Sequence, residues 1–181
     1  LDTKQGAWSG VLWGTENQVH WECGIRTSAA IDNQWIWAGL KLTNVVECAT
    51  DANSAFFAFG TDADNAGQAF TDFTKLHFCH SVADTDYISV LPITVAASTN
   101  YHLKIVFDSD RKMSIFVDGE QYNITRTSGS TGGTAVTKGT TKSGAMTNDV
   151  DLIPYIGIEN CDAAAAVLNV QYEAISRLIF E

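Results

Sequence analysis

The sequence is short of most features that would place a chain quickly. Its 181 residues include only two prolines and two methionines, and no apolar run approaches the roughly 20 residues needed to cross a bilayer. No basic segment followed by an apolar one opens the chain. It begins at Leu1 instead of Met, which reads as a processed or trimmed product. Basic residues number 11 against 21 acidic ones, for a net charge of −10. A surface of that sign repels phosphate backbones, so nucleic acid is disfavoured as a partner, and the plain reading of the charge is solubility. The four cysteines, Cys23, Cys48, Cys79 and Cys161, contain no C-x-x-C. They permit two disulfides in three pairings. Cys23 and Cys79 fall inside strand-like runs, where cysteine behaves as a small hydrophobe, and four reduced thiols are the favoured expectation. Also missing are a G-x-S-x-G elbow, a P-loop and a dinucleotide fingerprint, and no cofactor is expected.

What is present is β-pattern. Hydrophobic residues make up 45% and charged ones 18%, the balance of a globular chain, and the length suits one domain over 1–181. Tyr101, Leu103, Ile105 and Phe107 alternate with His102, Lys104 and Val106, the period of a strand with one buried face. After a polar break at 108–112, Met113-Ser114-Ile115-Phe116-Val117 resumes the pattern. Asp118-Gly119 then predicts a type I′ hairpin turn into 120–124. Val19, Trp21, Cys23 and Ile25 alternate against His20, Glu22, Gly24 and Arg26. Residues 34–43 are apolar on both faces, with Ile36, Ala38, Leu40 and Leu42 on one and Trp35 and Trp37 on the other. Such a strand is covered on both sides or presents aromatics to a partner.

Residues 6–14 read as a glycine-punctuated aromatic strand, and 75–82 with 86–90 as a hairpin through Asp84-Thr85. Pro92 limits 91–95 to an edge strand. Residues 125–147 are rich in Thr, Ser and Gly and read as a long exposed loop or arm. Residues 167–180 form a closing strand with Leu168, Val170, Tyr172 and Ala174 in alternation. About a dozen short strands predict an all-β, two-sheet antiparallel sandwich.

Tyr101-His102-Leu103-Lys104 and Phe116-Val117-Asp118-Gly119 resemble the strand–turn–strand segment of laminin G-like domains, in the concanavalin A-like family of lectins and glucanases. The resemblance implies a concanavalin A-like jelly roll and leaves function open, since fold alone does not choose among that family's activities. A looser likeness is to structural proteins of tailed bacteriophages: capsid decorations, fibre knobs and tail modules. It is carried by Trp35-Ile36-Trp37-Ala38-Gly39-Leu40-Lys41-Leu42-Thr43, by Asp149-Val150-Asp151-Leu152-Ile153-Pro154-Tyr155, and by the acidic sandwich with its Thr/Ser/Gly arm.

A retaining glycosidase needs two carboxyls about 5 Å apart. Glu22, Glu159 and Glu173 each stand alone on a strand, and Asp149 with Asp151 lacks a third acid. Glycoside hydrolysis is therefore a remote alternative, and no enzyme is expected. Asp62-Ala63-Asp64-Asn65-Ala66-Gly67 begins like an EF-hand loop, but Phe73 stands where the bidentate carboxylate belongs. His77 and Cys79 lie on one face and His80 on the other, which is too few ligands for zinc, so no metal is expected. Asn123-Ile124-Thr125 fits a glycosylation acceptor.

Trp35 and Trp37 would stack on sugar rings if their face is open. That they fill the core or a subunit interface is the plainer reading. The leading functional expectation is a non-enzymatic structural or adhesion module on a virion surface. It would pack against other copies of itself or virion proteins as a homo-oligomer, with Trp35 and Trp37 as anchors and the 125–147 arm ordering on a neighbour. The alternative is a carbohydrate-binding, lectin-like module that takes a host-surface glycan. A virion location, otherwise an extracellular one, goes with these readings; nucleic acid and membrane do not.

Overall fold

The structure is a computed structural model that describes residues 13–32, 34–42, 51–60, 69–70, 72–129, 131–160 and 167–178. The strands in chain order begin with β1 (Trp13–Gly14), β2 (His20–Arg26), β3 (Gln34–Lys41), β4 (Asn53–Gly60) and β5 (Ala69–Phe70). Next come β6 (Lys75–Val82), β7 (Thr85–Thr94), β8 (Asn100–Phe107), β9 (Met113–Val117) and β10 (Glu120–Tyr122). The short β11 (Thr131–Gly132) and β12 (Thr134–Ala135) precede the long β13 (Asp151–Asn160) and β14 (Asn169–Ser176). Among the described residues no helix is long and apolar enough to cross a membrane.

Two sheets face each other. The larger has the order β1-β13-β3-β4-β6-β7-β12 and the smaller β10-β9-β8-β2-β14. The expected all-β, two-sheet sandwich is what the chain forms. Its core lies between the sheets, with Ile36, Ala38, Leu40, Phe57 and Phe78 from one and Trp21, Leu103, Ile105 and Ile115 from the other. Each such large apolar side chain removed from water contributes roughly 1.5–3 kcal/mol. The predicted meander is the adjacent run β8-β9-β10, and Asp118 and Gly119 both have positive φ, 51° and 82°, as a type I′ turn requires. Asp118 also accepts a hydrogen bond from the His102 backbone N–H at 2.8 Å, which ties the turn to β8.

Three expectations are corrected in detail. The β6–β7 turn is centred on Ala83 and Asp84 (φ 47° and 62°), one residue earlier than Asp84-Thr85. Residues 91–94 are not a separate strand: they continue β7 beyond its short partner β12, so Pro92 sits where no ladder bond is needed. In β14 a bulge between Val170 and Tyr172 breaks the alternation. Val170 pairs with Ile25 on the core side and Tyr172 with Gly24 on the solvent side, not on one face together.

The Thr/Ser/Gly segment 125–147 is largely exposed, yet it lies on its own domain instead of reaching away from it. Ser143 Oγ accepts from the Met113 N–H at 2.9 Å, and Lys142 reaches Asp108 at 2.7 Å. Met146 is buried, and its backbone pairs with Arg111. Thr125 N–H donates to Ser89 Oγ at 3.0 Å. Polar side chains and two isolated β-bridges, Lys112–Ala145 and Tyr122–Lys138, thus replace the apolar burial that the segment lacks. The acceptor-like Asn123 is similarly engaged, its Nδ2 on Thr137 and its Oδ1 on the Thr141 N–H.

Candidate functional site

The large sheet's face turned away from the core carries the predicted tryptophans. β3 runs between β13 and β4, so its register sets their neighbours: Trp37 lies opposite Gly157 and Ala58, and Trp35 opposite Glu159 and Gly60. The glycines matter, because a Cβ at Gly60 would run into the Trp35 ring and one at Gly157 into the Trp37 ring. Each indole lies flat on the strand beside it. Phe70 stacks on Trp35 at 5.0 Å, and Tyr155 on Trp37 at 5.9 Å.

Both tryptophans are only 3% exposed, so the exposed anchors expected from sequence are covered within the monomer. They form a second apolar cluster with Phe56, Ala58, Phe70, Cys79 and Ile88. The physical reason is that β3 is covered on both faces, the first of the two arrangements its composition allowed.

Polar groups are buried in the same layer. Lys41 and Asp51 face each other at 3.9 Å, with the ammonium 5.3 Å from the Phe56 ring. His77 stacks on Phe70 at 3.7 Å, and neither of its ring nitrogens makes a hydrogen bond. Burial holds its pKa down at about 4. His80 points to the opposite face, as its position predicts, stacks on Tyr87, and is held by burial at about 3. Both are neutral imidazoles at pH 7. Cys79 is a buried thiol, and so is Cys23 on the core side, where burial and then Glu173 and Glu22 raise its pKa well above the ordinary range. Neither is in a disulfide. Cys48, Cys161 and the acidic loop 61–68 lie outside the described residues. Among the described residues no three His, Cys, Asp or Glu side chains could hold a metal.

The solvent face of the small sheet is built differently. β2 is paired with β14 on one side and β8 on the other, giving two cross-strand rows: Tyr172–Gly24–His102 and Ala174–Glu22–Lys104. The bulge in β14 aims Tyr172 outward, a common use of such an insertion. Its ring then lies over Gly24, where a Cβ would come within 2.6 Å of it. The ring is 41% exposed, and its hydroxyl is pushed above its ordinary pKa by burial, Glu22 and Cys23, so it is a neutral donor.

Around that ring, Glu22 Oε2 lies 3.5 Å from both His102 Nε2 and Lys104 Nζ. Gln171 donates to Asn100 at 3.1 Å. A recess of about 230 Å³ beside Glu22 and Lys104 reaches His20 and Ala174. An exposed aromatic ring beside a carboxylate, an ammonium and an imidazole is equipped to stack on a polyol ring and bond its hydroxyls.

The carboxylates are held apart. Glu173 lies opposite Cys23 and accepts from the Trp21 indole N–H at 2.9 Å, on the core side. Glu22, one register position away, points to solvent, and Glu159 is on the other sheet. No two of these form the pair that glycoside hydrolysis requires.

No protein-family model matches the chain, and no curated protein matches it in sequence. Among solved structures, a carbohydrate-binding module from Bacillus subtilis superposes with a TM-score of 0.50 at 9% identity, over 88% of this chain and 74% of that one. A toad ovary galectin in complex with thio-digalactose gives 0.48 at 11% identity, over 90% and 92%. A galectin from Caenorhabditis elegans gives 0.48 at 13% identity, over 92% and 87%. At such identities the likeness is one of fold.

The fold is a two-sheet, mostly antiparallel sandwich consistent with a concanavalin A-like jelly roll.

Within this sandwich the sequence reading placed Trp35 and Trp37 on one face correctly and missed the Tyr172 cluster. The outward alternation of Glu22, His102 and Lys104 was visible in the sequence. That β2 and β8 are neighbours, and that a bulge turns Tyr172 onto their face, was not.

Proposed function

We propose that this sandwich is a non-catalytic binding module that takes a neutral glycan on the solvent face of its small sheet. The observation that carries the reading is Tyr172, exposed and flat over Gly24, with Glu22, His102 and Lys104 beside it. Stacking of a sugar ring on Tyr172 supplies apolar contact, and the Glu22 carboxylate, 3.5 Å from the Lys104 ammonium, can accept from hydroxyls. The net charge of −10 favours a neutral ligand over an acidic one. In this reading Trp35 and Trp37 stiffen the large sheet and do not touch the glycan.

A glycan array with the wild-type chain tests it. Hits should weaken about tenfold in Tyr172→Ala, the equivalent of roughly 1.4 kcal/mol of lost stacking and ring burial, and should fall in Glu22→Gln. An empty array, or hits indifferent to both changes, would sink the reading. Display on a virion surface, the other expectation, instead requires a symmetric oligomer, which light scattering on the same sample measures. Its structural motive is weaker, because the 125–147 segment is already tied to its own domain.

A further inference from the structure

We propose that a small cavity between the large sheet and the 125–147 segment is a binding site for a small aliphatic carboxylate of acetate size. Its lining residues, His80, Val82, Tyr87, Arg126, Gly144 and Ala145, come from β6, β7 and two points of that segment. All six lie inside the described stretches 72–129 and 131–160. The cavity holds about 110 Å³. At roughly 30 Å³ for each water-sized group, that is room for about four heavy atoms, as many as acetate has. The site shares no residue with the recess beside Glu22 and Lys104, so it stands apart from the glycan reading.

The floor is polar and rigid. His80 is 1% exposed, and its ring is stacked on Tyr87 at 4.6 Å and on Phe78 at 5.7 Å. Nδ1 is shut off from solvent and makes no hydrogen bond. Nε2 is therefore the nitrogen that a molecule in the cavity can reach. Burial keeps the ring neutral at pH 7, with its pKa at about 3. A neutral imidazole has one N–H and one lone pair. A ligand that accepts a hydrogen bond from Nε2 holds the proton there and leaves Nδ1 only its lone pair.

The mouth supplies the charge. Arg126 is exposed, and its Nε donates to the Lys142 carbonyl at 3.1 Å. Both terminal guanidinium nitrogens remain, in the fork that matches a carboxylate. Among the described residues no carboxylate pairs with Arg126, whereas the Lys142 ammonium is taken by Asp108 at 2.7 Å. No Asp or Glu is among the six lining residues. In a chain of net charge −10, an unneutralised guanidinium beside a buried imidazole selects an anion. Half-buried Val82 and the side chain of Ala145 give the alkyl end its apolar contact. A halide offers neither that contact nor the second oxygen that the fork takes.

The test is an NMR titration of the full chain with sodium acetate at pH 7 and constant ionic strength, read at the His80 ring nitrogens. A saturable one-to-one shift is expected, with His80 settling in the Nε2–H form. Arg126→Gln, at the exposed mouth, should weaken binding about tenfold. His80→Phe keeps the stacked ring but loses the N–H, and should weaken it several-fold. Acetamide, with the same shape and no charge, and chloride should not reproduce the shift. Should His80→Phe fail to fold, Arg126→Gln and the two control ligands decide. Four results overturn the proposal: no saturable shift, a titration indifferent to Arg126→Gln or to folded His80→Phe, a His80 held in the Nδ1–H form, or an equal response to acetamide or chloride.

Discussion

Three glycine-to-alanine substitutions separate the two aromatic faces of this sandwich. At Gly60 and Gly157 an added Cβ falls inside the rings of Trp35 and Trp37, which are 3% exposed and capped by Phe70 and Tyr155. The rings cannot swing away without leaving the cluster. Complete expulsion of an indole forfeits about 150–250 Å² of burial, or roughly 4–6 kcal/mol at 25 cal/mol per Å². A ring that merely shifts costs about 1–3 kcal/mol, and alanine returns roughly 0.5–1 kcal/mol of backbone entropy.

The net expectation for Gly60→Ala or Gly157→Ala is therefore a loss of about 2–4 kcal/mol. With a urea slope of roughly 2 kcal/mol per M, that is a fall of about 1–2 M in the unfolding midpoint. Gly24→Ala makes a comparable close approach, 2.6 Å, but to Tyr172, which is 41% exposed and free to turn into solvent. Its midpoint should move by less than about 0.3 M, while its glycan capture falls with that of Tyr172→Ala. Urea curves followed by tryptophan fluorescence give all three values. Equal shifts, or a larger one for Gly24→Ala, would falsify the account of flat, trapped indoles.

Two further outcomes follow from buried and strained groups. His77 and His80 are neutral in the fold, with pKa values of about 4 and 3 against 6.5 when unfolded. Their contribution is complete above pH 6.5 and is lost as pH falls toward those folded values, at up to about 1.4 kcal/mol per pH unit for each. His77→Phe and His80→Phe keep the stacking on Phe70 and Tyr87 and should each flatten the stability profile between about pH 6 and 4.5, measured by urea titration at each pH. Ala83 holds a φ of 47° in the β6–β7 turn. Ala83→Gly should therefore raise stability by roughly 0.5–1 kcal/mol, visible as a higher melting temperature, because relief of left-handed strain exceeds the added chain entropy.

How far the sequence reached depended on the range of the interaction. Leu103, Ile105 and Phe107 announced β8, and Asp118-Gly119 announced its turn, because period and positive φ are local properties. The two-faced burial of β3 was also legible in its composition. The closing strand was misread at one point: its alternation ignored the bulge that parts Val170 from Tyr172. A bulge is settled by the partner strand, here β2 with Gly24 beneath the ring, and nothing in residues 167–180 alone encodes it. The 125–147 segment is the largely exposed loop its composition suggested, but what ties it to the domain was not legible, since its hydrogen bonds run to Asp108, Arg111, Met113 and Ser89, on strands and turns elsewhere in the chain.

The sequence by itself determined the class of this protein: alternating strands and hairpin turns, each set by chemistry within a few residues, in a chain of net acidic charge. Tertiary structure decided which aromatics reach solvent. Trp35 and Trp37 lie flat on Gly60 and Gly157 from neighbouring strands and are sealed, while Tyr172, lying on Gly24, stays open. The same ring-on-glycine packing gives opposite exposure, because exposure depends on what covers a face, and that cover comes from residues distant in the chain.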